Sequence, residues 1–516
     1  MSVADGMQRG QSVVAGAGED AVAEAMAELG AAVEGVCACW RGRTDDSLRA
    51  TLGEVVPGMV RGMVAGVAAE AEAVRHGDGS AVARAAQRAV QPVGAAFIQG
   101  AWRFQGHAAP LPPEQRPCCA SCGRRMKLVR EHQSRHLLGR CGPYTLERSY
   151  YTCGDCGGGC SPADVAWALG TSTLDPDLQA LVARDGVDRA FDAAAVDAVG
   201  AHLQVRLDDN TVHRTTVGIG LVALAQSAAR AAAGTCRLGP DPGSDTLVLE
   251  VDGGRVEAGR EWREAKVAAA GPLGPALDVD KDTGRAHLRC GPLRYAADIA
   301  DADQFFQRQV RQLAEDAGLY HPRVRRVVLL ADGGEWIEKR WASLDCPARV
   351  EVIDILDLRH FQEHVWGAAK ASWGQNSPRT RAWARQQIDA VLQSGPNPLI
   401  ETLSHLRPRR AEGRQAMRRL KTYVTENAHR LRYPEFMAAQ LPIGSGAIEA
   451  GVRIVNNERL KNCCMHWSVA GARAVLTLRA LALSAGQSWD TFWATQPQIS
   501  RPPVRELAPL RRRNVA

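Results

Sequence analysis

Between residues 246 and 357 the chain changes from one hydrophobic period to another several times. TLVLEVDGG (246–254) and VVLLADGG (327–334) are runs dense in Val and Leu, as expected of strands covered on both faces. Further β-like runs lie at 264–271 and 286–297. Between the strand runs, DADQFFQRQVRQLAEDAGL has apolar residues at helical spacing, EWIEKRWASL predicts a second helix, and ARVEVIDILDL a last strand. Residues 358–435 read as mostly helical. Upstream, the first 110 residues are rich in Ala, Gly and Val, and AVAEAMAELGAAVEG and SAVARAAQRAVQPVGAAF predict helices for packing or dimerisation. Pro110, Pro112, Pro113 and Pro117 mark a boundary, since successive prolines cannot continue a helix.

Three strands, a helix, then strands alternating with helices is the order of an RNase H-like fold, a mixed sheet flanked by helices. The expected fold class is multidomain α+β, with this α/β core interrupted by a helical insertion. Residues 1–112 are expected to form a helical region, 113–170 a zinc-ribbon-like module and 171–235 a helical DNA-binding region. The core would occupy 246–357, the insertion 358–440, the rest of the core 441–490 and a basic tail 491–516. Within the third segment, AFDAAAVDAVGAHL, QVRL and DDNTVHRTTVGIG have the layout of a helix-turn-helix, with Asp208, Asp209 or Asn210 capping the second helix. That helix would present Thr211, His213, Arg214 and Thr215 to base edges. Two helices that merely pack on a neighbour would read the same way.

At 516 residues the chain exceeds what one hydrophobic core covers, and 45% hydrophobic with 23% charged residues is a globular composition. Its net charge of +6 is unevenly spread. Lys370 to Glu435 holds 13 Lys or Arg against 5 Asp or Glu, whereas the first 100 residues hold 8 against 12. A basic block on a near-neutral body points to a polyanion such as DNA. Candidate phosphate contacts there are Arg407, Arg409, Arg410, Arg418, Arg419 and Lys421, with Trp366, Trp373 or Trp467 as stacking or core residues. No apolar run of about 18 residues and no secretory leader pattern appear, so neither membrane insertion nor secretion is expected. The expected location is cytoplasmic, associated with the nucleoid.

Of the 14 cysteines, four form two CxxCG knuckles, Cys119 with Cys122 and Cys153 with Cys156, separated by 30 residues that include YTLERSYYT. Two such knuckles on adjacent hairpins can close a tetrahedral thiolate site around structural Zn²⁺. Cys118 competes with Cys119 for register, and Cys160, His132, His136 and Cys141 are spare ligands. The module would offer Arg124, Arg125 and Lys127 to DNA.

Asp252 and Asp332 each close an apolar strand just before a Gly-Gly turn, and Glu449 lies in a helix start, GSGAIEAG, which Ser445 can cap. If the three carboxylates converge, they can hold two Mg²⁺ or Mn²⁺ ions on a scissile phosphate, as two-metal in-line displacement requires. An Asp before Gly is by itself a turn former, and Glu458 competes with Glu449.

The run LPIGSGAIEAGVRIVNNERLKNCCMHWSVAGARAVLTLRALALSAGQSWDTFW, with DGGRVEAGREWREAK, ADGGEWI and the cysteine stretch LLGRCGPYTLERSYYTC, closely resembles bacterial insertion-sequence transposases of the Kra-four (ISKra) type, distant relatives of Mutator-like transposases. The resemblance spans roughly residues 115–495 and places Asp252, Asp332 and Glu449 in the DDE site. It implies that Asp357 and His360 form an accessory DxxH-like motif, and that the basic block is the helical insertion preceding the glutamate. The implied function is Mg²⁺-dependent cleavage and strand transfer at element ends, with terminal inverted repeats and target DNA as partners and a homo-oligomer on DNA. The adjacent Cys463 and Cys464 are atypical of that pattern. Two other classes fit the same residues: a transposase-derived DNA-binding protein without catalysis, and an RNase H-like nuclease that cuts without joining. No GxxxxGK(S/T) motif is present, so nucleotide-driven chemistry is not indicated.

Overall fold

The computed structural model describes residues 46–71, 76, 78–196, 205–234, 237–279, 286–462 and 465–495. The predicted helix at 21–35, the end of the first helix-turn-helix segment, Cys463, Cys464 and the basic tail lie outside the described residues. The chain divides into two compact units, Met1–Val182 with Ala195–Leu207, and Ala183–Ala194 with Asp208–Ala516.

In the first unit, helices α1 (Asp46–Ala69) and α2 (Gly79–Phe104) pack backbone to backbone. A Cβ on Gly62 would lie 2.5 Å from the Pro92 carbonyl oxygen, which accounts for the small residues there. Helix α2 then lies on a hairpin of strands β1 (Lys127–Gly139) and β2 (Gly142–Thr152), to which the short β3 (Gly159–Cys160) adds. Trp102 donates its indole N–H to the Glu147 carbonyl (2.7 Å), and Gln99 its amide to Thr145 (2.8 Å). Ala95 and Trp102 of α2 share a core with Leu137, Tyr144 and Leu146 of the hairpin. Helix α2 ends at Phe104, before the first proline of the cluster, and shares its core with the hairpin that follows the prolines. Helix α3 (Pro176–Asp188) carries the division between the units, after Val182.

The second unit is built on a mixed sheet. Its strands are β4 (Thr246–Ala258), β5 (Glu261–Val279), β6 (Ala286–Cys290), β7 (Arg294–Asp298), β8 (Arg326–Ala331) and β9 (Glu351–Leu356). The run expected as one strand at 286–297 is two, divided at Gly291 and Pro292, where φ is +121° and the proline has no N–H for a ladder. The order is β6-β5-β4-β8-β9, with β7 also paired to β5. β4, β8 and β9 are parallel, and β5 is antiparallel to β4.

Both faces of the parallel strands are covered, as their composition predicts. Leu247, Leu249, Val251, Val327 and Leu329 pack under the helical stretch Ala302–Asp316. Val248, Val328 and Leu330 face the opposite layer, made of α5 (Leu358–Trp373), α6 (Pro378–Ser394), α7 (Asn397–His405) and α8 (Ala411–Glu426). The basic segment is thus not a free-standing insertion. Phe361, Val365, Met417, Leu420 and Val424 share one core with the sheet.

Helix α4 (Asp209–Ala233) also belongs to this unit. Asp208 is its cap, with its carboxylate accepting Thr211 N–H at 2.5 Å. The helix is long and apolar enough to cross a membrane by composition, yet Thr215, Thr216, Val217, Ile219 and Gly220 are buried against α10 (Val469–Leu483). A Cβ on Gly220 would clash with the Ala474 carbonyl. The expected presentation of Thr211, His213, Arg214 and Thr215 is therefore not met as a set. Thr215 is buried and His213 rests on the Phe191 ring at 5.0 Å, while Arg214 is exposed.

Burial lowers the pKa of His213, helped by the neighbouring Arg214 and Arg459. An unfolded histidine titrates near 6.5, so below that pH the unfolded chain binds a proton that folded His213 resists. Its contribution to stability is intact above about pH 6.5 and is lost as pH falls through that value. Relative to wild type, His213→Gln is expected to lower the slope of unfolding free energy between pH 7 and pH 5 by up to one proton, measured by urea denaturation.

Candidate functional site

The parallel pairing of β4, β8 and β9 ends at one level, although β4 itself runs on to Ala258 beside β5. Val251 pairs with Ala331 and Ala331 with Leu356, so Asp252, Asp332 and Asp357 are the next residues along three neighbouring strands. Asp252 does not close its strand, as the sequence suggested, because Gly253 and Gly254 continue β4 in pairing with Lys266 and Ala265 of β5; Asp332 does follow the end of β8. Asp252 Oδ1 accepts Gly253 N–H at 2.6 Å, and Asp332 Oδ1 accepts Gly334 N–H at 2.8 Å. Among the described residues, Oδ2 of neither makes a hydrogen bond. Burial raises the pKa of Asp252, and the charges of Asp332 and Asp357 raise it further, while His360 opposes them.

Asp357 has a different role, because it is fully buried and saturated with donors. Its Oδ2 accepts the His360 backbone N–H at 2.9 Å and faces His360 Nδ1 at 3.1 Å, and its Oδ1 accepts Ser445 N–H at 2.7 Å. Against burial, which pushes its pKa up, those bonds hold it below the usual range. The Asp357 hydrogen bond in turn pushes His360 up to about 9, so an imidazolium stands beside Asp332 at neutral pH.

The same Ser445 N–H starts α9 (Gly446–Gly451), which carries Glu449. Ser445 does not cap the helix with its side chain, as the sequence suggested; its backbone N–H is taken by Asp357. Three residues on, Ile448 N–H donates to Glu250 at 2.7 Å. Two buried carboxylates thus satisfy amides that the first turn of α9 leaves open. Glu250, 2% exposed, is the residue that sequence reasoning missed. It sits inside the apolar run two positions before Asp252, on the same strand face, and burial pushes its carboxyl up to about 8.

Glu449 itself is half-buried and ion-paired with Arg359 Nη1 at 2.6 Å. Its competitor Glu458 pairs with Arg453 (3.0 Å) and Arg479 (3.7 Å). The structure therefore groups Asp252 and Asp332 with Asp357, His360 and Glu250. It brings Glu449 onto this edge without closing the three predicted ligands around one point. Among the described residues, the one group of metal-ligating atoms lying mutually within 4.8 Å is that of Cys119, Cys122, Cys153 and Cys156.

That cluster can hold a zinc ion, and the local chain explains why. Gly123 (φ +72°) and Gly157 (φ +70°) let each CxxCG turn back on itself. Gly123 N–H bonds the Cys119 carbonyl (2.8 Å) and Gly157 N–H that of Cys153 (3.1 Å). Sulfurs approach to 3.2 Å between Cys119 and Cys156 and 3.5 Å between Cys122 and Cys153. Contact with Cys156, then the N–H groups of Cys122 and Ser121, lower the Cys119 thiol to about 6; the N–H groups of Cys156 and Asp155 lower Cys153. Four sulfurs with amides aimed at them suit a tetrahedral thiolate ion. Cys119, not Cys118, is in register, and Cys160, Cys141, His132 and His136 stay outside the cluster. Arg124 and Arg125 are engaged at home. Arg124 bridges to Asp155 (2.8 Å), and Arg125 donates to the carbonyls of Glu114 and Arg116. Lys127 is exposed.

On the helical layer Arg407, Arg409, Arg410, Arg418 and Arg419 are exposed and Lys421 is half-buried. Among the described residues none of the six forms an ion pair. Arg430, from the same basic block, is instead buried against Asp354 (2.9 Å) and Glu338. Trp467 is buried with its ring 5.0 Å from Arg459, Trp373 lies edge-on to Trp383 under Arg379, and Trp366 packs against the core. Of the three tryptophans none stands free for stacking.

Comparison of the chain with protein-family models found no match, and comparison with curated proteins found none either.

Cys119→Ser or Cys153→Ser is expected to lower zinc content from one ion per chain to a small fraction of that, read by elemental analysis after dialysis, and Cys118→Ser to leave it unchanged. Equal loss in all three would contradict this ligand set.

Proposed function

We propose that this chain is a DNA transposase of the DDE type, cutting and joining phosphodiester bonds at the ends of an insertion sequence. One observation carries the reading: Asp252 and Asp332 stand at the same level of adjacent strands, just past the last parallel pair Val251–Ala331, on the edge to which α9 brings Glu449. The strand order β7-β5-β4-β8-β9 supports an RNase H-like core, because the second strand is antiparallel and the rest of that path follows the expected topology.

The acids fit divalent cations by their chemistry. Among the described residues Asp252 and Asp332 each keep an oxygen free of hydrogen bonds, and the charge of Asp332 adds to burial in raising the pKa of Asp252. Mg²⁺ or Mn²⁺ bound there supplies an activated water or 3′-hydroxyl and neutralises phosphoryl charge. Asp252 and Asp332 would be the fixed ligands, because the sheet holds them, one within β4 and one just after β8, and Glu449 the ligand that exchanges Arg359 for metal. His360, positively charged through Asp357, offsets the negative edge from the side of Asp332. The unpaired arginines of the helical layer, with Arg214, give the DNA backbone cations to meet. The four-cysteine site holds its hairpin rigid and takes no part in phosphoryl transfer. Terminal inverted repeats and target DNA are the proposed partners, on a homo-oligomer.

A second reading, a DNA-binding protein of transposase origin without catalysis, draws support from one contact, the Arg359–Glu449 ion pair that occupies the third carboxylate. Nicking separates the two. With supercoiled plasmid carrying the DNA that flanks this coding region, wild type plus Mg²⁺ should nick, while Asp252→Asn, Asp332→Asn and Glu449→Gln should fall at least about 100-fold in rate with DNA binding retained. Wild-type binding without nicking would favour the second reading.

A further inference from the structure

Arg359, the cation that holds Glu449, is itself loosely held. It lies in the first turn of α5, two residues after Asp357, and its guanidinium meets the Glu449 carboxylate at 2.6 Å. A guanidinium carries five N–H donors, and among the described residues that of Arg359 makes one hydrogen bond, the one to Glu449. Glu363 stands 3.8 Å from its Nε, too far for another. The side chain is 64% exposed, whereas Arg430 and Arg479 of the same unit are buried, each among several acceptors.

Local helix energetics do not call for an arginine here. The open amides of a first turn disfavour a cation, and Arg placed four residues before Glu is the weaker order of such a pair. An exposed ion pair adds little to stability, so the contact with Glu449 breaks at small cost. What distinguishes Arg359 is its place. It faces solvent and already touches a carboxylate of the acidic edge, so an anion drawn to that edge comes within its reach. Asp252, Asp332 and Glu449 would repel a nucleic acid laid across them, and an exposed cation in contact with one of the three offsets that repulsion. Turned away from Glu449, the guanidinium offers a planar fork that matches two phosphate oxygens.

We infer that Arg359 is a DNA-contacting residue, its guanidinium passing from Glu449 to the non-bridging oxygens of a backbone phosphate lying along the acidic edge. This rests on the DNA-binding part of the reading above and not on its catalytic part. The free protein pairs the cation with a carboxylate and the complex pairs it with phosphate, so one exchange both grips the DNA and releases Glu449.

The test uses the full-length protein and a duplex of the DNA that flanks this coding region, with affinity read by fluorescence anisotropy over a range of salt concentrations. Neutralising Glu449 separates a phosphate contact from mere shielding of that carboxylate. In a Glu449→Gln background, Arg359→Ala is expected to weaken binding about 10-fold and to lower the slope of log affinity against log salt by about 0.9, the equivalent of one phosphate. Arg359→Lys, which keeps the charge, is expected to keep the slope. Affinity and slope unchanged by Arg359→Ala in that background would overturn the inference, since the arginine would then serve Glu449 alone. A slope lost equally in Arg359→Lys would overturn it too, because a phosphate contact survives the exchange of one cation for another. Binding by wild type without nicking removes the catalytic reading and leaves this one standing, and no binding by wild type overturns both.

Discussion

Asp357 is the joint on which the acidic edge depends. It ends β9, caps α5 through His360 N–H and binds Ser445 N–H from 88 residues away. A carboxylate removed from water is tolerated when donors surround it, and these donors belong to two segments, the start of α5 and the entry to α9. Glu250 repeats the device one turn further into α9, through Ile448 N–H. Together they hold the first turn of α9 to β4 and β9, alongside the Leu358 N–H bond to the Ile443 carbonyl at 2.9 Å.

How much of this was legible in the sequence depended on whether the signal was local. The apolar strands and the CxxCG turns are local patterns, and the structure carries them in the expected places, whereas Asp252, expected at a strand end, lies inside β4 because its Gly-Gly pair extends the ladder with β5. Glu250 escaped because one acid inside TLVLEV reads as a flaw in the period, although a glutamate within a run covered on both faces is itself a sign of a buried partner. The helix-turn-helix reading gave too little weight to TTVGIGLVALA, which is apolar around the whole helix and belongs inside a core. The helical insertion lies where the pattern placed it, but a charge count could not show that Met417, Leu420 and Val424 turn it onto a face of the sheet. Nor could it separate Arg430, buried with Asp354, from Arg418 and Arg419, which face solvent.

The two candidate metal sites follow opposite logic. The thiol cluster is complete as folded: backbone amides favour thiolate and the sulfurs already stand together, so a cation finishes a shape that exists. The carboxylate edge is held apart. Asp252 and Asp332 are fixed by the sheet, whereas Glu449 is on Arg359, a cation that does for one carboxylate what a metal would do for all three. Assembly of the second site therefore requires one side chain to change partners, while the first requires none.

Calorimetric titration of the zinc-loaded protein with Mn²⁺ tests that account most directly. It predicts saturable binding that is lost in Asp252→Asn, weakened in Glu449→Gln and strengthened in Arg359→Ala, where the competing cation is gone. Binding unchanged by all three substitutions would contradict it.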